Sequence, residues 1–142
     1  SGAADGADNA FEVGCDDAGG EKEIYLPWTP FNGRTNAEPG VHALIEGAES
    51  GARKMAMEIH PAPDKLSRGA LALHARNCYQ VLGLDLTWPA DMLICWAKVD
   101  KDRNALGGTR TAWMLAKKHN IPCFNLNVAA HYERICKWLN IL

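Results

Sequence analysis

The sequence predicts an α/β fold of the Rossmann-like kind, with a mostly parallel sheet flanked by helices. Two apolar runs, Asp91–Trp96 and Cys123–Leu126, are typical of strands buried on both faces, and a helical segment lies between them. Short connections between alternating helices and strands indicate βαβ units. The chain has 142 residues, of which 47% are hydrophobic, so we expect one domain over residues 1–142.

The first half of the chain predicts two helical regions around a strand and a long loop. Asp5–Asp17 has helical periodicity, and Glu21–Leu26 is typical of a short strand. Pro27–Gly40 holds three prolines and two glycines, so it predicts a long loop of the kind that often carries function. Val41–Ile59 predicts a helix in two pieces, interrupted at its glycines and ended by Pro61.

The second half predicts three helices with recognisable ends. Ser67 is suited to cap a helix that runs to Leu82 and stops at Gly83. A glycine-rich turn after Leu106 opens a helix that runs through His119, and Val128–Leu139 predicts the last helix.

Composition excludes several classes of protein. Fifteen Lys and Arg against 17 Asp and Glu give a formal charge of −2, which makes a nucleic-acid partner less expected. No apolar run is long enough to span a membrane, and the first residues do not resemble a signal peptide. The five cysteines and five histidines lack zinc-ligand spacing, so we expect free thiols, no metal, no cofactor and a cytoplasmic location.

The segment Gly107-Gly108-Thr109-Arg110-Thr111 has the character of an anion site. Two glycines let a ligand approach the backbone, and the free N–H groups at the start of a helix attract a phosphate. The two threonine hydroxyls and the Arg110 guanidinium would add donors. The alternative is a plain loop in which Thr109 caps the helix. The lysine of a P-loop is absent from this segment.

A second candidate turn opens the chain. Ser1, Gly2 and Gly6 are small residues before a helix that starts with acids, as in a tight strand-to-helix turn. Asp5 or Asp8 would then hold ribose hydroxyls. The alternative is that Asp5 only caps the helix.

Two further groups are candidates for ligand contact. Arg76 and Asn77 are polar residues in a helical segment rich in Leu and Ala, and Arg76 would reach a phosphate unless it simply faces solvent. Trp28, Phe31 and Asn32 lie in the long loop, where they would cover a base as a lid or else pin the loop to the core.

The order of these motifs resembles that of the SLOG superfamily, which includes DprA-like, YspA-like and LOG proteins, and most of all its small bacteriophage members. The motifs are Ser1–Asp8, Leu26-Pro27-Trp28 with Phe31-Asn32-Gly33, Leu73–Asn77, Ala90-Asp91, Gly107–Thr109 and Ile121-Pro122. The resemblance implies a Rossmann-like fold and a nucleotide-type ligand at the carboxyl ends of the strands. Gly107, Gly108 and Thr111 match the phosphate loop of LOG enzymes, and Arg76 matches the arginine of their Met-His-x-Arg-Lys motif.

The chain also departs from that family pattern. Met114 stands where LOG enzymes have a catalytic Glu, Arg110 replaces a Gly, and Asn77 replaces a Lys. Family members have a strand before the segment with which this sequence begins, so we expect either a fragment or an altered sheet, a homodimer or a partner that completes the sheet.

Three functions follow from these patterns. The first is binding of a nucleotide or nucleotide-derived molecule, in a sensor or sequestering protein that a phage would encode and that would work in the host cytoplasm. The alternative is a nucleotide N-glycosidase or phosphoribohydrolase, for which Asp5, Asp8 or Glu12 would have to supply the carboxylate. The third is a DprA-like accessory protein for single-stranded DNA.

Overall fold

The structure, a computed structural model, describes residues 1–44 and 50–141 and is α/β. Short 3₁₀ turns at Pro63–Lys65 and Gly107–Thr109 accompany the helices and strands. The elements in chain order are α1 (Ala7–Asp17), β1 (Ile24–Leu26), β2 (Val41–Ala43), α2 (Gly51–Ile59), α3 (Arg68–Leu82), β3 (Leu93–Cys95), α4 (Arg110–Lys118), β4 (Cys123–Asn125) and α5 (Ala129–Trp138).

Local capping chemistry explains where the central helices begin and end. The Ser67 hydroxyl accepts a hydrogen bond from the Ala70 amide at 3.2 Å, and α3 ends at Gly83, whose φ of +72° suits a residue without a Cβ. Ser50 caps α2 in the same way through the amide of Arg53. The predicted bounds of α3 are therefore confirmed, and the predicted segments before and after it lie within two or three residues of α1, β1, β3, α4, β4 and α5.

The prediction of a helix from residue 41 is wrong at its start. Val41–Ala43 is a strand that pairs in parallel with β1, with Val41 opposite Ile24 and Ala43 opposite Leu26. Three residues carry no periodicity that separates a strand from a helix, and the partner lies at the far end of a long loop. The predicted break near Gly47 lies outside the described residues.

The strands form two parallel pairs rather than one continuous sheet. β1 pairs with β2, and β3 pairs with β4. The backbone of Ser1 lies along the other edge of β1, where its carbonyl accepts a hydrogen bond from the Tyr25 amide at 2.9 Å. The backbone groups of Leu93 and Cys95 form hydrogen bonds on the side of β4. Because neighbouring residues of a strand point in alternate directions, the peptide groups of Ile94 face the opposite edge of β3.

Helix α3 is the centre of the main core. It packs against α2, α4 and β1, and small residues such as Ala52, Ala56, Ala75 and Ala116 let the helices approach closely. A second cluster joins Ala3 to β1 and β2, and a third joins Cys95 to α4. Among the described residues, no helix combines the length and the apolarity needed to cross a membrane.

Candidate functional site

A cavity of about 390 Å³ lies between the N-terminal turn and β3. Its walls come from four parts of the chain: the turn into α1, the buried face of α3, the edge of β3 and the start of α4. The lining residues are Ala4, Asp5, Gly6, Ala7, Asp8, Phe11, Arg76, Asn77, Gln80, Leu93, Ile94, Cys95, Trp96, Gly108, Thr109 and Ala112. The structure thus brings the three predicted polar motifs to one place.

The start of α1 supplies uncapped backbone amides to the cavity. Gly6 is the N-cap residue with a φ of +91°, and no side chain makes a capping bond there. The alternative reading of Asp5 as a cap is therefore wrong, and its carboxylate is exposed at the cavity wall. The Asp8 side chain lies against the residues before it, and its carboxylate accepts hydrogen bonds from the amides of Gly2 at 3.1 Å and Ala4 at 3.2 Å.

The glycine-rich turn supplies a second set of amides. Gly107 has a φ of +68°, and Gly107 and Gly108 provide the first N–H groups of the 3₁₀ turn that leads into α4. Thr109 makes no side-chain capping bond, so the alternative of a plain threonine cap is wrong as well. The side-chain amide of Asn77 donates to the Gly108 carbonyl, which fixes the turn against α3.

Arg76 is the cation of this cavity. Its side chain is about nine-tenths buried, at 8% exposure, and its Nη1 donates to the carbonyl of Gly2. The guanidinium lies 5.8 Å from the ring centre of Phe31. A Cβ at Gly2 would come within 2.5 Å of the guanidinium carbon, so a larger residue there would have to displace the guanidinium. The alternative of a solvent-exposed arginine is therefore wrong.

The charge of Arg76 is left without a direct counter-ion. No ion pair involves it among residues 1–44 and 50–141, and its Nε has no hydrogen-bond partner there. Burial lowers the pKa of the guanidinium, and the Asp8 carboxylate offsets part of that effect. An arginine stays charged under these conditions. The cavity therefore holds a desolvated positive charge that an anion would stabilise.

Two residues of the glycine-rich motif do not reach the cavity. Thr111 is fully buried, and its hydroxyl lies 2.7 Å from Nδ1 of His74. Arg110 points to the loop before it, where it forms an ion pair with Asp100 at 3.0 Å. Their predicted contact with a phosphate is wrong for this conformation, because each already has a protein partner that the linear sequence did not reveal.

Glu12 and Ser1 also lie away from the cavity. Glu12 is buried in an ion pair with Arg34 at 2.7 Å, and its other oxygen accepts from the Ser1 hydroxyl at 3.2 Å. Glu12 therefore ties α1 to the long loop. Of the three acidic candidates, only Asp5 and Asp8 line the cavity.

The predicted lid residues hold the long loop in place. Asn32 donates to the Ala3 carbonyl at 2.9 Å, and Phe31 packs on the cluster around β1 and against Trp28, with ring centres 5.3 Å apart. None of these three residues lines the cavity beside Arg76. Trp28 instead lines a second cavity, together with Arg53 and Arg68. The alternative that the aromatics pin the loop is the one the structure favours.

Several of the lining residues escaped the sequence analysis. Trp96 and Phe11 line the cavity with exposed rings, and Gln80 lies one helical turn after Arg76. Trp96 is the last residue of the run predicted as a strand buried on both faces, and this position was an available signal, since ligands bind at the carboxyl ends of parallel strands.

The one thiol among the described residues that line the cavity, that of Cys95, is not activated. Burial, with a smaller contribution from Cys123, raises the pKa of the Cys95 thiol to about 12, so this thiol is protonated at neutral pH. Met114 packs on the cluster of Cys95, Ala97 and Trp113. Within the described ranges, no group of His, Cys, Asp and Glu is arranged to hold a metal ion.

Comparison with protein-family models, curated proteins and solved structures finds no match. The assignment of a function therefore depends on the cavity itself.

Proposed function

We propose that the cavity binds a phosphate-bearing, nucleotide-type small molecule. The observation that carries the proposal is the buried Arg76 without a carboxylate partner in the described part of the chain. Burying an unpaired guanidinium costs several kcal/mol, and proteins tolerate such a cost chiefly at functional sites. An anionic ligand would supply the missing counter-charge through short, charge-assisted hydrogen bonds.

Two helix starts support the same ligand class. Gly6 and Ala7 at the start of α1, and Gly108 in the turn that precedes α4, line the cavity from different elements, and no side chain caps either helix start. Each helix start carries a partial positive charge of roughly half a unit, which favours an anion. Asp5, with an exposed carboxylate at the same wall, is suited to accept bonds from sugar hydroxyls.

The donor set favours binding over hydrolysis. Glycosidic cleavage needs a carboxylate beside the reacting carbon, and Glu12 and Met114 supply none to this cavity. Asp8 accepts two backbone hydrogen bonds, which leaves Asp5 as the acid that a hydrolase of this type would have to use. The N-glycosidase is therefore our second candidate.

The cellular location in which this function would operate stays a prediction. Five free cysteines fit the reducing cytoplasm, which would be that of the host if a phage encodes the chain. The SLOG resemblance and a homodimer or sheet-completing partner belong to the same proposal.

Thermal shift and titration calorimetry with ribose 5-phosphate test the proposal. The matched variants are Gly108→Ala and Gly14→Ala, since an added Cβ meets nothing within 4 Å at either position, but only Gly108 lines the cavity. We expect binding to the wild type and Gly14→Ala, and at least tenfold weaker binding to Gly108→Ala. No binding to a folded wild type would contradict the proposal. Chromatography of nucleotide mixtures separates the candidates, because free base would indicate the hydrolase.

A further inference from the structure

We propose that Trp96 and Phe11 form a stacking surface for the nucleobase of the bound ligand. This inference rests on the proposed phosphate site, which it extends to the other end of the same ligand.

Trp96 has the exposure and the position that stacking needs. Its side chain is 58% exposed, although tryptophan normally buries most of its large apolar surface. It directly follows β3, so it lies at the carboxyl end of that strand, beside the cavity. The next residue, Ala97, is held at both its amide and its carbonyl by the side chain of Asn125, which fixes the backbone that presents the indole.

Phe11 brings a second ring to the same cavity from the opposite element. It is 40% exposed and lies one helical turn after Ala7 on α1, so the two residues share a face of that helix. Two exposed rings from separate elements therefore line one cavity. Exposed aromatic rings stack on any nucleobase, because every base has a π-face.

The test compares nucleotides with the same molecule lacking its base. Calorimetry measures the binding of AMP, GMP, CMP and UMP, and of ribose 5-phosphate, to the whole chain. The variants are Trp96→Ala and Phe11→Leu, with Trp88→Ala as the control, because Trp88 is 77% exposed and does not line the cavity. Phe11→Leu keeps a good helix former while it removes the ring, so it remains informative if Trp96→Ala folds poorly.

We expect the wild type to bind all four monophosphates about tenfold or more tightly than ribose 5-phosphate. Trp96→Ala and Phe11→Leu should weaken nucleotide binding several-fold and leave ribose 5-phosphate unchanged, and Trp88→Ala should change neither.

Different failures separate this inference from the proposal beneath it. Equal affinity for AMP and ribose 5-phosphate, or unaltered AMP binding in both ring variants, would overturn the stacking surface and leave the phosphate site standing. A wild-type protein that binds neither ligand would remove both. A dimer that dissociates on Trp96→Ala, with unaltered AMP binding, would assign the rings to a protein interface instead and so refute the inference.

Discussion

Replacement of Arg76 by methionine separates a ligand-binding arginine from a structural one. Methionine keeps much of the side-chain length and removes the charge. The loss leaves the Gly2 carbonyl without its donor, which costs about 1–3 kcal/mol, and removes the contact with the Phe31 ring, which contributes about 0.5–1 kcal/mol. Against this, the folded protein no longer buries an unpaired charge, a penalty of several kcal/mol.

These opposing contributions nearly cancel in the protein without ligand. We therefore expect Arg76→Met to change the free energy of unfolding by less than about 2 kcal/mol in either direction, as measured by urea denaturation. Affinity for ribose 5-phosphate should fall at least tenfold, because charge-assisted hydrogen bonds contribute about 1.5–3 kcal/mol. Arg110→Met is the control, since it removes a positive charge that is paired with Asp100 outside the cavity.

The opposite pattern would refute the reasoning. A variant destabilised by more than about 4 kcal/mol with unaltered affinity would make Arg76 a structural anchor for the N-terminal turn. Equal loss of affinity in Arg110→Met would indicate a diffuse effect of charge rather than a site.

Three further outcomes follow from the contacts described above. Gly14 lies inside α1 with space for a Cβ, so Gly14→Ala should stabilise the protein by about 0.5–1 kcal/mol in urea denaturation; destabilisation would contradict the helix geometry. Burial, then His60 and Arg76, lower the pKa of His74 from 6.5, so the unfolded chain binds this proton more readily. The free energy of unfolding should therefore fall as the pH drops below about 6.5. His74→Gln should make the free energy of unfolding less dependent on pH, and an unaltered dependence would show that another group causes it. The Cys95 thiol, with its pKa raised to about 12, should resist alkylation at pH 8 until urea is added, as read by peptide mass spectrometry; rapid labelling of the folded protein would contradict its burial.

Local signals in the sequence were enough to predict most elements of the fold. Ser67 and Gly83 predicted both ends of α3, because capping depends only on neighbouring residues. Val41–Ala43 was predicted as a helix because its strand character comes from pairing with β1 across the long loop. The separation into two strand pairs is a matter of tertiary arrangement that neither pair reveals alone.

The sequence predicted which motifs form the candidate site, but not which residues of each motif line the cavity. Ser1–Asp8, Arg76 and Gly107–Thr109 were each suspected from residue type, and the structure places parts of all three around one cavity. Thr111 and Glu12 were misassigned because their partners, His74 and Arg34, lie far away in the chain. The rings of Trp96 and Phe11 were overlooked because an apolar residue in a sequence is expected to be buried.

Amide chemical shifts during titration with AMP test the central claim most directly. The account predicts saturable shifts of the Gly107, Gly108 and Ala7 amides, which lie at the two helix starts, and none around Gly69 in the second cavity. Shifts confined to the second cavity, or no shift at any concentration in a folded sample, would contradict it.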